Sequence, residues 1–338
     1  MSAREIGRRL AAGPSIAALD LRCSRMHRAS RRPGARRRAE GNLRMQTPAP
    51  VDYARAHSVD EALELLERYG GEARLIAGGH SLIPMMRLRI AQPECVIDIN
   101  DLTDLDYIRM VDTAGDSYLA IGAMTRHRTV LASPVIGEHY AILHDAERVI
   151  ADPIVRNRGT VGGSLCQADP AEDLSAVLSA LRADAVIVSA NGSRTVSVRE
   201  LDDGPYQTVL EDAEILTEVR IPIRPGAGSA YEKVERRTGD WAVAAVGAYV
   251  VLDGDTVRDV GIAMAALGVE HGCATEAEEY LRGRAFTADA VEEAARLAAA
   301  ATNPSPDQRG PVTYKRHLAD ELTRRALRRA ADRAQGRI

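Results

Sequence analysis

Hydrophobic residues at helical spacing mark the first regular element of the chain. Ala62, Leu65 and Leu66 form one apolar stripe, which predicts a helix. Ser58 stands at its start and Glu61 three residues later, which is the spacing of a capping box. Short apolar runs then predict two strands, at residues 73–77 and 94–99. These elements predict a strand–helix–strand–loop–strand unit.

The pattern after residue 106 is typical of β strands interrupted by helices. Strands are predicted at residues 107–110, 118–123, 183–189 and 215–223, and helices at residues 134–150 and 173–181. Ala114-Gly115-Asp116 and Asn191-Gly192 predict turns between neighbouring strands. The run Pro225-Gly226-Ala227-Gly228 predicts a domain boundary.

The last third of the chain has strands first and helices afterwards. Strands are predicted at residues 230–235, 242–252 and 257–265, and helices at residues 275–281, 287–301 and 314–334. Asp253-Gly254 predicts an antiparallel hairpin, and Thr275 with Glu278 has the spacing of a second capping box. The chain is therefore predicted to be an α+β protein with domains at residues 45–224 and 229–338, the first divided into subdomains at about 45–102 and 103–224.

Charge is distributed unevenly along the chain. The formal net charge is −4, but residues 1–44 hold twelve Arg and three acidic residues, so the remainder carries −13. Residues 1–44 also lack sustained periodicity, and Met45 follows them as an alternative start. We expect this segment to be a disordered extension or to lie outside the fold. A basic binding arm and a transit peptide are the alternatives.

Several classes of chemistry have no support in the sequence. The four cysteines, Cys23, Cys95, Cys166 and Cys273, lie far apart, which predicts no zinc or iron–sulfur site in this chain and a reduced cytoplasmic setting. The Rossmann, P-loop and nucleophile-elbow motifs are absent, and histidines such as His127 fall in no metal-binding spacing. No apolar run reaches the roughly 18–20 residues of a membrane span.

Two glycine pairs carry the candidate chemistry. The first lies in Ala77-Gly78-Gly79-His80-Ser81-Leu82, and the second in Thr160-Val161-Gly162-Gly163-Ser164. Paired glycines let backbone amides approach an anion where a side chain would collide, and successive amides form a concave set of donors. Two such loops predict a diphosphate held from both sides, with further donors from the hydroxyls of Ser81, Thr160 and Ser164.

Six motifs occur in the order found in one known family. They are Ala77-Gly78-Gly79-His80-Ser81-Leu82-Ile83-Pro84, Ile121-Gly122-Ala123-Met124-Thr125, Ile150-Ala151-Asp152-Pro153, Arg158-Gly159-Thr160-Val161-Gly162-Gly163, Gly239-Asp240-Trp241-Ala242 and Arg309-Gly310-Pro311-Val312-Thr313-Tyr314. From Met45 onward the chain resembles the FAD-binding medium subunits of molybdenum hydroxylases, and most of all those of aerobic carbon monoxide dehydrogenases. The resemblance implies a two-subdomain FAD-binding domain of the vanillyl-alcohol-oxidase (PCMH) type and a C-terminal antiparallel sheet with helices.

The resemblance also implies which residues contact FAD. The diphosphate and ribityl chain would be held by Ala77, Gly78, Gly79, His80, Ser81 and Leu82 and by Thr160, Val161, Gly162, Gly163 and Ser164, although the family often has Asn at the position of Ser164. Asp173 would meet a ribose hydroxyl, Ile150 and Leu216 would form apolar walls, Lys233 would lie near the flavin, and Trp241 would cover one flavin face. Asp173 at a helix start and Trp241 in a core are the structural alternatives. No catalytic residue and no metal ligand is expected in this chain.

The activity implied by the resemblance is electron transfer. In such enzymes a molybdopterin large subunit oxidises the substrate, a small subunit carries two [2Fe–2S] clusters, and the flavin subunit delivers electrons to an external acceptor. The chain is therefore predicted to be an oxidoreductase subunit of a carbon monoxide dehydrogenase, with the small and large subunits as partners in a dimer of heterotrimers and no nucleic acid partner. The expected location is cytoplasmic, either free or at the inner face of the membrane through the complex. The alternatives are the flavin subunit of a xanthine, aldehyde or N-heterocycle dehydrogenase, and a free-standing FAD oxidase.

Overall fold

The computed structural model describes residues 47–113 and 117–338. The predicted extension at residues 1–44 and the predicted turn at Ala114-Gly115-Asp116 therefore lie outside the described residues. Across the described ranges, no helix combines the length and the apolar character needed to cross a lipid bilayer.

The first subdomain is a small parallel sheet with a helix between its first two strands. Its elements are β1 (Asp52–Arg55), α1 (Val59–Tyr69), β2 (Ala73–Ile76), α2 (Leu82–Arg87) and β3 (Cys95–Asp98). The strand order is β1-β3-β2, and both strand pairs are parallel. Ser58 caps α1 as predicted, because its hydroxyl accepts from the amide of Glu61 at 3.0 Å. The first glycine loop leaves the carboxyl end of β2, which is where parallel sheets commonly bind ligands.

The second subdomain is a five-stranded antiparallel sheet with six helices inserted between its second and third strands. The strands are β4 (Ile108–Asp112), β5 (Ser117–Gly122), β6 (Asp184–Ser189), β7 (Gly192–Ser197) and β8 (Ile215–Pro222), in the order β4-β5-β8-β6-β7. The helices are α3 (His127–Ala132), α4 (Pro134–His139), α5 (Ala141–Val149), α6 (Pro153–Arg156), α7 (Val161–Gln167) and α8 (Asp173–Ala180). The predicted hairpin at Asn191-Gly192 is present, and Gly192 has a φ of +127°.

The C-terminal part is a three-stranded antiparallel sheet followed by three helices. These are β9 (Ala227–Val234), β10 (Ala244–Asp253), β11 (Thr256–Ala265), α9 (Thr275–Leu281), α10 (Ala288–Ala300) and α11 (Val312–Ala334). Single 3₁₀ turns also occur, at Gly70–Glu72, Thr103–Leu105, Val198–Glu200 and Glu270–Gly272. The mixture of helices and sheets confirms the predicted α+β class.

Strand β10 is buried on both faces and holds the C-terminal part against the second subdomain. Tyr249 and Val251 join the core that contains the five-stranded sheet, whereas Val246 and Val250 join the core beneath the C-terminal helices. Successive strand residues point to opposite faces, so one strand contributes to both cores. The sheet β9–β11 therefore joins the C-terminal part to the second subdomain through a shared core.

The single helix predicted at residues 134–150 is wrong, because Tyr140 interrupts it with a φ of −134° and a ψ of 61°. The next turn is instead bonded to β9, since the hydroxyl of Ser229 accepts from the amide of Ile142 at 3.2 Å. Asp145 likewise accepts from the amide of Tyr231 at 3.2 Å. Tertiary hydrogen bonds therefore override an apolar pattern that continues through the break.

The predicted capping box at Thr275 and Glu278 is also wrong. The residue that precedes α9 is Ala274, which makes no side-chain cap. Glu278 turns away from the helix end and bonds to the guanidinium of Arg199 at 2.6 Å and to that of Arg182 at 3.2 Å. It also accepts from the amide of Ile262 at 2.8 Å. Glu278 is therefore a buried ionic link between the second subdomain and the C-terminal sheet.

Candidate functional site

Both glycine loops lie on the walls of one cleft, which has a volume of about 800 Å³. Of the sixteen residues predicted to bind the cofactor, fourteen line this cleft: Ala77, Gly78, Gly79, His80, Ser81, Leu82, Ile150, Thr160, Gly162, Gly163, Ser164, Asp173, Leu216 and Trp241. The other two lie behind its wall. Val161 is buried in the core of the second subdomain, and Lys233 bonds to Asp173, which lines the cleft.

The two glycine loops pack directly on each other. A Cβ atom at Gly78 would lie 2.6 Å from the carbonyl oxygen of Arg158 and 2.8 Å from the Cα of Gly159. Gly162 is equally constrained, because a Cβ there would lie 2.7 Å from the Cβ of Ala123. Gly78 therefore permits backbone-to-backbone packing between the two subdomains, and Gly162 permits close packing within the second subdomain, in addition to the approach of a ligand.

The loops differ in the backbone donors that they offer. In the described chain, the amides of residues 78–82 make no hydrogen bond. In the second loop the amide of Val161 donates to Thr125, that of Gly162 to Ala123 and that of Gly163 to the hydroxyl of Thr160, at 2.9–3.1 Å. The amide of Ser164 donates to the carbonyl of Thr160 at 3.0 Å. The first loop thus supplies free amides, whereas the second supplies hydroxyl groups.

An arginine that the sequence analysis missed holds the two loops together. The guanidinium of Arg126 donates to the side chain of Asn100 at 2.7 Å and to the carbonyl of Arg158. Asn100 in turn donates to the carbonyl of Ala77 at 2.8 Å. Burial, and then the nearby Arg158, lowers the pKa of Arg126. The connection runs from the first loop to the second through side chains widely separated in sequence.

Asp173 lies in a buried hydrogen-bonded group at the cleft wall. Its carboxylate accepts from the hydroxyl of Tyr231 at 2.6 Å and from the ammonium of Lys233 at 2.8 Å. Lys233 also donates to the carbonyl of Val149 at 3.1 Å. Burial raises the pKa of Asp173, while Lys233 and Tyr231 act in the opposite direction. Asp173 is the first residue of α8, which is the structural alternative considered for it, and it also links α8 to β9.

Trp241 stands at the mouth of the cleft on the loop between β9 and β10, and it is 42% exposed. The preceding Gly239 has a φ of +79°, and a Cβ there would lie 2.7 Å from the carbonyl oxygen of Ala151. This contact places the Trp241 loop beside Ile150, whose apolar side chain lines the cleft with that of Leu216. Trp241 is therefore not a core residue, so the alternative interpretation that it packs in a core is wrong.

Glu172 is a buried carboxyl group in the cleft wall that sequence reasoning missed. It precedes α8 and accepts weakly from the amide of Leu174 at 3.4 Å. Burial, together with repulsion from Asp173, raises the pKa of Glu172 to about 7. The folded protein therefore keeps a proton on Glu172 that the unfolded chain releases near pH 4.5. Its contribution to stability is present at low pH and is lost as the pH rises through 7.

The variant Glu172→Gln tests this pKa shift. Glutamine stays neutral at both pH values. The free energy of unfolding of Glu172→Gln, relative to that of the wild type, is therefore expected to rise by about 2–3 kcal/mol from pH 5 to pH 8. Denaturant unfolding of both full-length chains at the two pH values measures the difference. Glu64→Gln is the matched control, because Glu64 is exposed on helix α1 and its substitution is expected to act equally at both pH values. If Glu172→Gln changes the free energy of unfolding equally at both pH values, the raised pKa of Glu172 is contradicted.

The residues missed by the sequence analysis share one property. His127, Glu147 and Arg126 have partners on other elements, whereas Glu172 is distinguished by its burial, and no local motif marks any of them. His127 stood among histidines without a metal-binding spacing, and its ring is buried against the carboxylate of Glu147 at 3.1 Å. Within the described ranges, no group of three or more His, Cys, Asp or Glu side chains is arranged to hold a metal ion.

Comparison with known proteins gives matches across the described chain. Residues 46–224 match the family described as the FAD binding domain in molybdopterin dehydrogenase, and residues 229–330 match the CO dehydrogenase flavoprotein C-terminal domain. The carbon monoxide dehydrogenase medium chain of Hydrogenophaga pseudoflava is 40% identical over 84% of this chain and 98% of its own length. The glyceraldehyde dehydrogenase medium chain of Sulfolobus acidocaldarius is 36% identical over 84% of this chain and 99% of its own. A solved structure of the Hydrogenophaga pseudoflava carbon monoxide dehydrogenase lacking the Mo-pyranopterin moiety superposes with a TM-score of 0.80, at 41% identity, covering 85% of this chain and 99% of that one.

Proposed function

We propose, because this chain belongs to the FAD-binding medium subunits of molybdenum hydroxylases, that it is the FAD subunit of an aerobic carbon monoxide dehydrogenase. In this role it passes electrons from [2Fe–2S] clusters of a small subunit to an external acceptor. The observation that carries the proposal is the cleft in which unpaired amides of one glycine loop and hydroxyls of the other line the same space.

The cleft fits the FAD molecule in its donors and in its size. Residues 78–82 present unpaired amides, which suit the anionic diphosphate. Gly163 is exposed at the cleft, and a Cβ there would meet only the hydroxyl of Thr160, at 2.7 Å. The volume of about 800 Å³ lies within the range of sites that enclose small organic ligands.

Each wall of the cleft would perform a separate task. The amides of residues 78–82 and the hydroxyls of Thr160 and Ser164 would hold the diphosphate and ribityl chain. Ile150 and Leu216 would exclude water from the isoalloxazine, and Trp241 would cover one of its faces. FAD, when bound, supplies the acceptance and release of electrons. The protein supplies orientation, burial and the surrounding charge.

The choice of carbon monoxide as substrate rests on similarity to carbon monoxide dehydrogenase medium chains. A second candidate is the flavin subunit of an aldehyde dehydrogenase, which the glyceraldehyde dehydrogenase relative favours at 36% identity. Substrate oxidation would take place on a partner large subunit that carries molybdopterin. The residues of this chain therefore do not distinguish the two candidates, and the assembled complex is the object to test.

Purification of the complex from its native source tests the proposal. We expect a flavin absorption spectrum, molybdenum and iron in the preparation, and small and large subunits that co-purify with this chain as a dimer of heterotrimers in native mass spectrometry. Carbon monoxide is expected to bleach the flavin absorption, whereas bleaching by glyceraldehyde alone would favour the second candidate. Absence of flavin would refute the FAD role, and flavin without molybdenum and iron would favour a free-standing oxidase.

A further inference from the structure

A chain of three polar side chains leads from the cleft into the core. Ser164 and His127 both line the cleft, and the Ser164 hydroxyl lies 3.0 Å from Nε2 of His127. Nδ1 of the same ring lies 3.1 Å from both carboxylate oxygens of Glu147. His127 is 2% exposed and Glu147 is 0% exposed. Ser164, the outermost of these three side chains, is partly exposed.

The packing fixes the orientation of the imidazole. The ring lies under the second glycine loop, where a Cβ at Gly159 would meet its Cδ2 at 2.7 Å. The amide of His127 donates to the carbonyl of Gly159 at 3.2 Å. An ionised Glu147 can only accept hydrogen bonds, so Nδ1 of His127 carries a hydrogen atom. The other ring nitrogen, Nε2, faces Ser164. The state of Nε2 therefore determines the direction of the Ser164 hydroxyl.

The two states of Nε2 give Ser164 opposite roles. A protonated Nε2 donates to the Ser164 oxygen, so the hydroxyl hydrogen is free to point into the cleft as a donor. An unprotonated Nε2 accepts that hydrogen, so Ser164 presents only an acceptor to the cleft. An anionic ligand is stabilised by the first state and repelled by the second.

We propose that His127, held by Glu147, is a positioning residue for FAD, which in its protonated form turns the Ser164 hydroxyl into a donor toward the cofactor's diphosphate or ribityl oxygens. The proposal rests on the proposed function, since it assumes that FAD occupies this cleft. It assigns the buried residues His127 and Glu147 a role in FAD binding through Ser164, which touches the cofactor.

The charges around the imidazole favour its protonated form. Burial alone would lower the pKa of His127, but the carboxylate of Glu147 reverses this effect and raises the pKa, and Asp173 acts in the same direction. Glu172 adds to this effect once it has lost its own proton. Two cations also lie near this group among the described residues: Arg156, near Glu147, and Lys233, which pairs with Asp173. The carboxylates next to the ring thus outweigh its desolvation.

The dependence of FAD affinity on pH tests the proposal. The full-length chain freed of FAD is titrated with FAD from about pH 6 to about pH 9, and binding is followed by the quenching of flavin fluorescence. The dissociation constant of the wild type is expected to increase by roughly tenfold as His127 loses its proton, the value of one hydrogen bond to a charged group. Ser164→Ala is expected to bind roughly tenfold more weakly at pH 6 and to show no such pH dependence. Ser164→Thr retains the hydroxyl and is expected to retain the dependence.

Two further variants distinguish the effect of the Ser164–His127–Glu147 group from that of nearby titratable groups. Glu147→Gln removes the charge that stabilises the imidazolium, so the pH dependence is expected to shift to lower pH. Glu172→Gln is the control for the other group that titrates near pH 7, and it is expected to keep the Ser164-dependent step. A pH dependence as steep in Ser164→Ala as in the wild type would overturn the proposal while leaving FAD binding intact. A wild type that binds no FAD at any pH would overturn the proposed function as well.

Discussion

Replacement of Gly78 by alanine is expected to abolish stable FAD binding and to lower the free energy of unfolding by about 2–3 kcal/mol. The new Cβ would lie 2.6 Å from the carbonyl oxygen of Arg158 and 2.8 Å from the Cα of Gly159. Both atoms belong to the backbone, so the conflict is relieved only by separating the two loops. Separation would break the alignment of the free amides of residues 78–82 with the hydroxyls of the second loop. FAD content after gel filtration and denaturant unfolding measure the two effects.

Gly137→Ala is the matched control for this substitution. Gly137 lies inside helix α4, has no positive φ, and has no atom within 4 Å of an added Cβ. The same change there is expected to leave FAD content unchanged and to stabilise the protein by about 0.5–1 kcal/mol, because alanine favours the helix. A Gly78→Ala protein that retains stoichiometric FAD and wild-type stability would contradict the proposed packing between the loops.

Features encoded in short stretches of sequence are predicted well for this chain. The cap of α1 by Ser58, the hairpins at Asn191-Gly192 and Asp253-Gly254 and the position of both glycine loops follow from local chemistry that needs no distant partner. The fold class follows from the order of these elements. The shared pattern of the two glycine loops predicted that they hold one ligand from both sides, whereas the assignment of Ile150, Asp173, Leu216 and Trp241 to the same cleft required the family resemblance.

Features decided by distant contacts are predicted poorly. Glu278 has the spacing of a capping box, yet two arginines of the second subdomain outcompete the helix end for its carboxylate. Tyr140 interrupts a continuous apolar pattern because the next turn bonds to β9. The second glycine loop looks like the first in sequence, but its amides are used by Thr125, Ala123 and Thr160. In each case the competing partner lies on another element.

Replacement of Lys233 by methionine is expected to lower the free energy of unfolding by about 3–5 kcal/mol at pH 8. The Lys233 side chain is 3% exposed, and its ammonium contacts the Asp173 carboxylate at 2.8 Å. Methionine fills the space but leaves a buried carboxylate without its counter-charge. The pKa of Asp173, already raised by burial, is expected to rise further, so the folded state retains a proton that the unfolded chain releases. The stability deficit is therefore expected to grow as the pH rises and to be smaller at pH 5 than at pH 8.

The second lysine of the chain provides the matched control. Lys315 is also buried, and its ammonium contacts Asp307 at 2.9 Å, but the Asp307 side chain is 43% exposed. Lys315→Met therefore leaves a carboxylate that water solvates, and its cost is expected to be about 1 kcal/mol and equal at pH 5 and pH 8. Asp173→Asn added to Lys233→Met removes the stranded charge and is expected to recover part of the lost stability. Equal deficits for the two lysine variants, independent of pH, would show that Lys233 contributes through packing alone and that the charge of Asp173 does not depend on it.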